Sequence, residues 1–296
     1  MKVQYKCLPC IVNQAIKVAD MTQSPDKDVL LKKVFTMLSE IDFDKTTPEI
    51  IGVIYRIIKE HVNNPDPYLE IRTYYNKLFL EKSHKIWTHI TNSPTPFEEA
   101  IKYAIIGNII DFNPIHNRTF EQIMDYFNKA EQFSLTVNHT EKLLGDIKKS
   151  TSLLYLGDNC GEICLDKLLI RQIKTLNPNL KIYFGVRGKS VINDNIEADA
   201  YLVGMDEYAE IISNGDCSLG TVLDRTSPEF KEIYDSADII ISKGQANYES
   251  LSEVKEQNIY FLLMTKCGVI ANDMGVPEKA LICLNNQLPL YTKSLS

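Results

Sequence analysis

Residues 153–162 read Leu153-Leu154-Tyr155-Leu156-Gly157-Asp158-Asn159-Cys160-Gly161-Glu162, and the order of residue types in this stretch decides the fold. A four-residue apolar run has the length of a buried strand, a glycine and two polar residues end it, and Glu162 opens a helical stretch that continues to Leu176. Further apolar runs follow at Ile182 to Val186, Ile239 to Ile241 and Tyr260 to Met264, with a second helical stretch at Tyr248 to Glu256. Short apolar runs alternating with helices predict an α/β chain built on a doubly wound sheet.

Upstream the period changes. Only Gly52, Gly107 and Gly145 precede residue 150, and the other ten of the 13 glycines follow it. Apolar residues recur at three and four spacing in Leu30, Leu31, Val34, Phe35 and Leu38, and again in Ile50, Ile51, Ile54, Ile57 and Ile58, which is the stripe of an amphipathic helix. Ser24-Pro25-Asp26 and Thr47-Pro48-Glu49 each offer a cap, a proline for the first helical position and an acid for the first turn. Asn63 to Pro67 reads as a breaker, and Ser93 to Pro96 as the start of a helix through Ile101, Ile105 and Ile109. The expected division is an all-helical domain over 1–149 and a Rossmann-like three-layer α/β/α domain over 150–296.

Composition narrows the function. A chain of 296 residues with 44% apolar content buries a substantial core. Its net charge of -7 and lack of a basic face argue against nucleic acid. MKVQYKCLPC contains no long apolar core followed by a cleavage site, and no later run has the apolar length that spans a bilayer, so a cytoplasmic protein with no membrane partner is expected. Seven scattered cysteines, an odd number, do not form a disulfide framework. Cys7 and Cys10 make one CxxC, a pattern open to half of a zinc site or a redox pair, but with no second such pair the favoured reading is packing at a helix start, with Cys267 as a distant partner.

In an open α/β sheet ligands bind beyond the carboxyl ends of the strands. The residues there are Gly157 to Glu162, then Arg187-Gly188, then Ser242-Lys243-Gly244-Gln245-Ala246-Asn247, and Thr265-Lys266-Cys267. Acids and amides at some ends and cations at others suit a metal beside an anionic group. Asp158 and Asn159, where a strand turns into a helix, are also favoured helix caps. Asp194, in Val191-Ile192-Asn193-Asp194, adds a second carboxylate after the next strand, and neighbouring strands lie about 5 Å apart, so both acids reach one ion if those strands are adjacent. All five histidines, His61, His84, His89, His116 and His139, precede residue 150. That leaves oxygen ligands for one divalent metal, Mg²⁺ or Mn²⁺ first and Co²⁺ or Ni²⁺ as substitutes. Lys243 and Lys266, each at a strand end, suit phosphate oxygens, with Asn247 as a further donor.

Taken together, these stretches resemble the metal-dependent damage-control phosphatases, a family once known as a domain of unknown function and related to a reported acidic-residue methyltransferase. The opening Cys7-Leu8-Pro9-Cys10 with Gln14, and Gly107-Asn108-Ile109-Ile110-Asp111-Phe112, are similar to its stand-alone microbial branch. The resemblance implies metal ligation by Asp158, Asn159 and Asp194, with Asp158 and Asp194 catalytic. It implies phosphate or substrate contacts from Glu162, Arg187, Lys243, Gly244, Asn247 and Lys266. The partner it implies is a small phosphorylated metabolite. Cys160, Ala246 and Ser190 stand where the family usually has alanine, glycine and proline. Two other readings give distinguishable results: a methyltransferase binds S-adenosylmethionine without metal, and a non-catalytic sensor binds a phosphometabolite without releasing phosphate.

Overall fold

The computed structural model describes residues 1–107 and 133–289. Asn108 to Phe112, His116 and the expected passage of a helix through Ile109 lie outside the described residues.

Five helices come first: α1 (Leu8–Met21), α2 (Lys27–Ser39), α3 (Thr47–His61), α4 (Leu69–Asn92) and α5 (Pro96–Ile106). Helix α3 starts one residue earlier than the proline pattern suggested. Thr46 is its cap, and the Thr46 hydroxyl and the Glu49 carboxylate satisfy each other's backbone amides in a capping box. After them the order is β1 (Val137–Asn138), α6 (Thr140–Ile147), β2 (Ser152–Leu156), α7 (Glu162–Leu176), β3 (Lys181–Val186), α8 (Glu197–Leu202), β4 (Glu210–Ser213), α9 (Pro228–Ser236), β5 (Ile239–Lys243), α10 (Gly244–Leu251), β6 (Ile259–Met264), α11 (Gly268–Met274) and β7 (Leu281–Asn285).

The strands form one sheet in the order β1-β7-β6-β5-β2-β3-β4, parallel throughout except for the antiparallel β6–β7 pair. Alternate residues face opposite sides, and both sides are apolar. Leu153, Tyr155, Phe184, Ile241 and Leu262 join one core with Phe79, Ile86, Ile101 and Ile105 of α4 and α5 and with the inner face of α7. Leu154, Leu156, Ile240, Phe261 and Leu263 join the other with Ile11, Val18, Ile50, Ile54 and Ile58 of α1 and α3. The first hundred residues therefore supply part of both outer layers. The division expected at residue 150 falls inside the sheet unit, because β1 precedes it and pairs with β7.

Chain order reverses at the sheet centre: β2, β3 and β4 run to one edge, and β5 returns to pair with β2 on its other side. The carboxyl ends of β2 and β5 thus flank the switch point where such sheets bind ligands. At the opposite ends, the Asp238 carboxylate accepts from Thr151 N and Oγ1 and from Ser152 N at 2.8, 2.8 and 3.0 Å. These bonds, Thr151's backbone first, hold its pKa below the ordinary carboxylate value. Asp238→Ala is expected to lower stability by about 1 kcal/mol at pH 7, the scale of a solvent-screened bond set. A depressed folded-state pKa contributes stability above the unfolded value near ~3.9 that is lost as pH falls through the folded one. The gap between wild-type and variant urea midpoints should therefore close on going from pH 7 to pH 3.

Among the described residues no helix is long and apolar enough to cross a membrane.

Candidate active site

Strand β2 continues past Leu156 through the bond from Gly157 N to Gly185 O, which delivers Asp158 and Asn159 to the end of the sheet beside β3. The connection after β3 then folds back. Ile192 lies in the left-handed region at φ 47°, a strained conformation for a β-branched residue, and the reversal brings Asn193 and Asp194 onto the β2 loop. Cys160 N donates to Asn193 O at 2.9 Å, Asn195 N to Asp158 O at 2.8 Å, and Asn159 and Asp194 pair as an isolated bridge. Strands β2 and β3 are adjacent, as a shared ion requires.

The polar groups here are almost completely shielded: Asp158 is 5% exposed, Asn159 8%, Asp194 2% and Glu162 0%. The Asn159 amide donates to Asp158 Oδ2 at 2.6 Å and to Glu162 Oε2 at 3.0 Å, while its oxygen accepts from Asn193 Nδ2 at 2.9 Å. That orientation aims the amide oxygen away from the acids. Burial, then the neighbouring charges of Asp194 and Glu162, push the Asp158 carboxyl up to about 8, against the pull of Lys266 and Arg187. Burial also raises Asp194, which Arg187 pulls down through a 2.8 Å bond from Nε to Oδ2.

Gly244 opens α10 at φ 78°, and a Cβ there would lie 1.9 Å from Asp158 Oδ2. No side chain fits. The backbone of the β5 end thus approaches the carboxylate as closely as glycine alone permits.

The expected phosphate residues divide into two groups. Lys266 is exposed, lies near enough for its charge to act on Asp158, and has its backbone N–H held by Gln245 Oε1. Lys243 is different: its Nζ is fully buried and donates to Ala104 O at 2.8 Å, to Asp166 Oδ1 at 2.6 Å and to Glu162 Oε1. All three of its protons are held within the protein. The cause is strand length, because β5 runs two residues beyond Ile241, and Lys243 shares the parity of Ile241 and so faces α7 and α5. Asn247, also fully buried, donates to Gly157 O and Lys243 O and accepts from Thr221 Oγ1 at 2.8 Å. Arg187 Nη2 reaches Gly157 O at 3.2 Å.

The sequence did not single out the loop after β4, where Gly220 N donates to Asp194 and Thr221 ties down Asn247. Its only sequence signal is the pair Gly215 and Gly220, both at positive φ. Nor did it single out Asp166, whose carboxyl burial pushes up to about 7 against the pull of Lys243. All seven cysteines are free. Cys7 is buried in the core shared with α1, whereas Cys10 is exposed, its thiol raised by partial desolvation and then by the nearby Cys267 and Cys7 thiols.

The damage-control phosphatase ARMT1-like domain matches residues 3–282. A damage-control phosphatase of Pyrococcus horikoshii is 32% identical over 295 residues, 98% of this chain and 100% of that one. A damage-control phosphatase of Archaeoglobus fulgidus is 31% identical over 284 residues, 93% and 96% of the two chains. The crystal structure of a DUF89 family protein from Pyrococcus horikoshii superposes with a TM-score of 0.87 at 31% identity, covering 97% of this chain and 99% of that one.

Proposed function

As a chain that belongs to the damage-control phosphatase ARMT1-like family, this protein is a phosphatase, and from that premise we propose that it hydrolyses a small phosphorylated metabolite with the help of one divalent metal held by Asp158, Asn159 and Asp194. The reading rests on one observation: two buried carboxylates, Asp158 and Asp194, meet from adjacent strand ends at the switch point, with the backbone of Asn159 bridged to Asp194. The donors are all oxygen, which suits Mg²⁺, Mn²⁺, Co²⁺ or Ni²⁺. Charge points the same way. Among the described residues the buried Asp158, Asp194, Glu162 and Asp166 carboxyls face two buried cations, Arg187 and Lys243, with Lys266 exposed nearby, and a divalent cation would offset that excess of acid.

When bound, such an ion lowers the pKa of a coordinated water and polarises the phosphoryl group. The chain's own residues do the rest. Asp158 orients the attacking water by accepting a hydrogen bond from it. Arg187 holds Asp194 in place through Nε, and the exposed Lys266 ammonium neutralises phosphoryl oxygens as the bond to the leaving group breaks. Lys243 works at one remove, anchoring Glu162, whose other oxygen fixes the Asn159 amide. The free cysteines accord with a cytoplasmic setting.

The test is a phosphate-release assay on sugar phosphates, nucleotides and damaged phospho-cofactors, using chain stripped of metal by a chelator. Little or no release is expected until Mn²⁺, Co²⁺, Ni²⁺ or Mg²⁺ is returned. Undiminished turnover by the stripped chain would overturn the metal assignment and leave the phosphatase standing.

A further inference from the structure

Helix α4 lies outside the sheet, yet one of its side chains holds the loop that carries the proposed metal ligands. Asn76 Oδ1 accepts from Gly161 N at 2.7 Å, two residues after Asn159. Gly161 sits at φ 68° as the cap of α7, so its amide is among the donors that a helix start leaves without intrahelical partners.

The Asn76 amide has only one usable orientation. Its Nδ2 donates to Asp199 Oδ1 at 2.9 Å, and Asp199 Oδ2 accepts from Arg72 Nε at 3.0 Å and from Ile196 N at 3.0 Å. The remaining Arg72 nitrogens grip both oxygens of Asp66. Arg72 and Asn76 are 0% exposed and Asp199 5%. A flipped Asn76 would set an NH₂ against the Gly161 amide and an oxygen against the Asp199 carboxylate. Apolar side chains would fill this volume at less desolvation cost, so the buried charges are better explained by the geometry they enforce than by stability.

We propose that Asn76, oriented by Asp199 and Arg72, is a positioning residue that fixes the Asp158–Gly161 loop in the conformation that binds metal. The helical N-terminal half would thereby set the metal affinity of a site whose ligands all lie on loops at the sheet's carboxyl end. This rests on the metal reading given above.

The experiment measures Mn²⁺ binding by calorimetry, the melting temperature, and kcat and KM on p-nitrophenyl phosphate, using the full chain. Asn76→Ala is expected to weaken Mn²⁺ binding about 10- to 100-fold, the range found when groups that orient metal ligands are removed. It should also lower kcat more than it changes KM. Asn76→Asp places a second carboxylate against Asp199 and should weaken Mn²⁺ as much. Adding Asp199→Asn restores one acid and one amide in exchanged positions, and the double variant should return to within about threefold of wild type, as restored complementarity requires. A folded Asn76→Ala with wild-type Mn²⁺ affinity overturns the proposal. If that variant does not fold, a double variant that melts like wild type but binds Mn²⁺ tenfold more weakly overturns it instead. A wild-type chain that binds none of Mn²⁺, Co²⁺, Ni²⁺ and Mg²⁺ refutes the metal reading itself and the inference with it, and where one of the other three binds in place of Mn²⁺ the same variants are measured with that ion.

Discussion

Asp158→Ala is expected to reduce phosphate release about 1000-fold or more while leaving the metal-free fold intact or raising its melting temperature. Activity falls because the variant removes a proposed ligand and the group that orients the attacking water, and each such electrostatic contribution accounts for about a hundredfold or more in rate. Stability moves the other way for a reason visible in the site. Asp158 is buried beside Asp194 and Glu162, and both push its carboxyl up. Removing it relieves that crowding, against the loss of its hydrogen bonds, the one from Asn159 among them. Opposite signs for activity and stability are what a functional residue gives and a structural one does not. The checks are steady-state turnover in the best metal and thermal denaturation in chelator. A variant that retains its activity would sink the assignment of Asp158.

Lys243→Met should have the largest effect on stability, about 3–5 kcal/mol, because it strips the cation from two carboxylates that are both 0% exposed. That is a large share of the roughly 5–15 kcal/mol that holds a domain together. Burial opposes the Lys243 charge, but Asp166 and Glu162 outweigh it and hold the pKa above that of an ordinary lysine. Adding Glu162→Gln and Asp166→Asn removes the orphaned charges and should recover most of the loss in urea denaturation. Recovery of stability without recovery of turnover would mark Glu162 as needed for orienting Asn159 as well as for balancing charge.

The central strands were legible because β2, β3, β5 and β6 are buried on both faces and read as unbroken apolar runs. The outer strands were not. β1 has two residues and no period to detect, and β4 is a half-exposed run, Glu210–Ser213, that resembles a loop. Leu281–Asn285 is apolar, but its antiparallel pairing with β6 departs from the alternation on which the reading depended. In the proposed site, Asp158, Asn159 and Asp194 were singled out because they follow strands whose ends the sequence marks. Lys243 was assigned to the crevice because Ser242-Lys243 looks like the start of a turn, whereas two more residues of strand carry the side chain inward. Asn76 and Arg72 leave no local signal, since their roles arise only when α4 is laid against Gly161.

Placing α1 to α5 over both faces of a sheet that is completed only at Asn285 also sets an order of events during synthesis. The helices leave the ribosome first, and the last strand follows Ile106 by 179 residues (285 minus 106), about 9–36 s later at translation rates of ~5–20 residues per second. Until β2 and the strands after it emerge, their apolar stripes have no sheet to cover, and the sheet is complete only at the end of that interval. The newly made chain is therefore most exposed to aggregation, and most in need of a chaperone, before the residues of the proposed site have been synthesised.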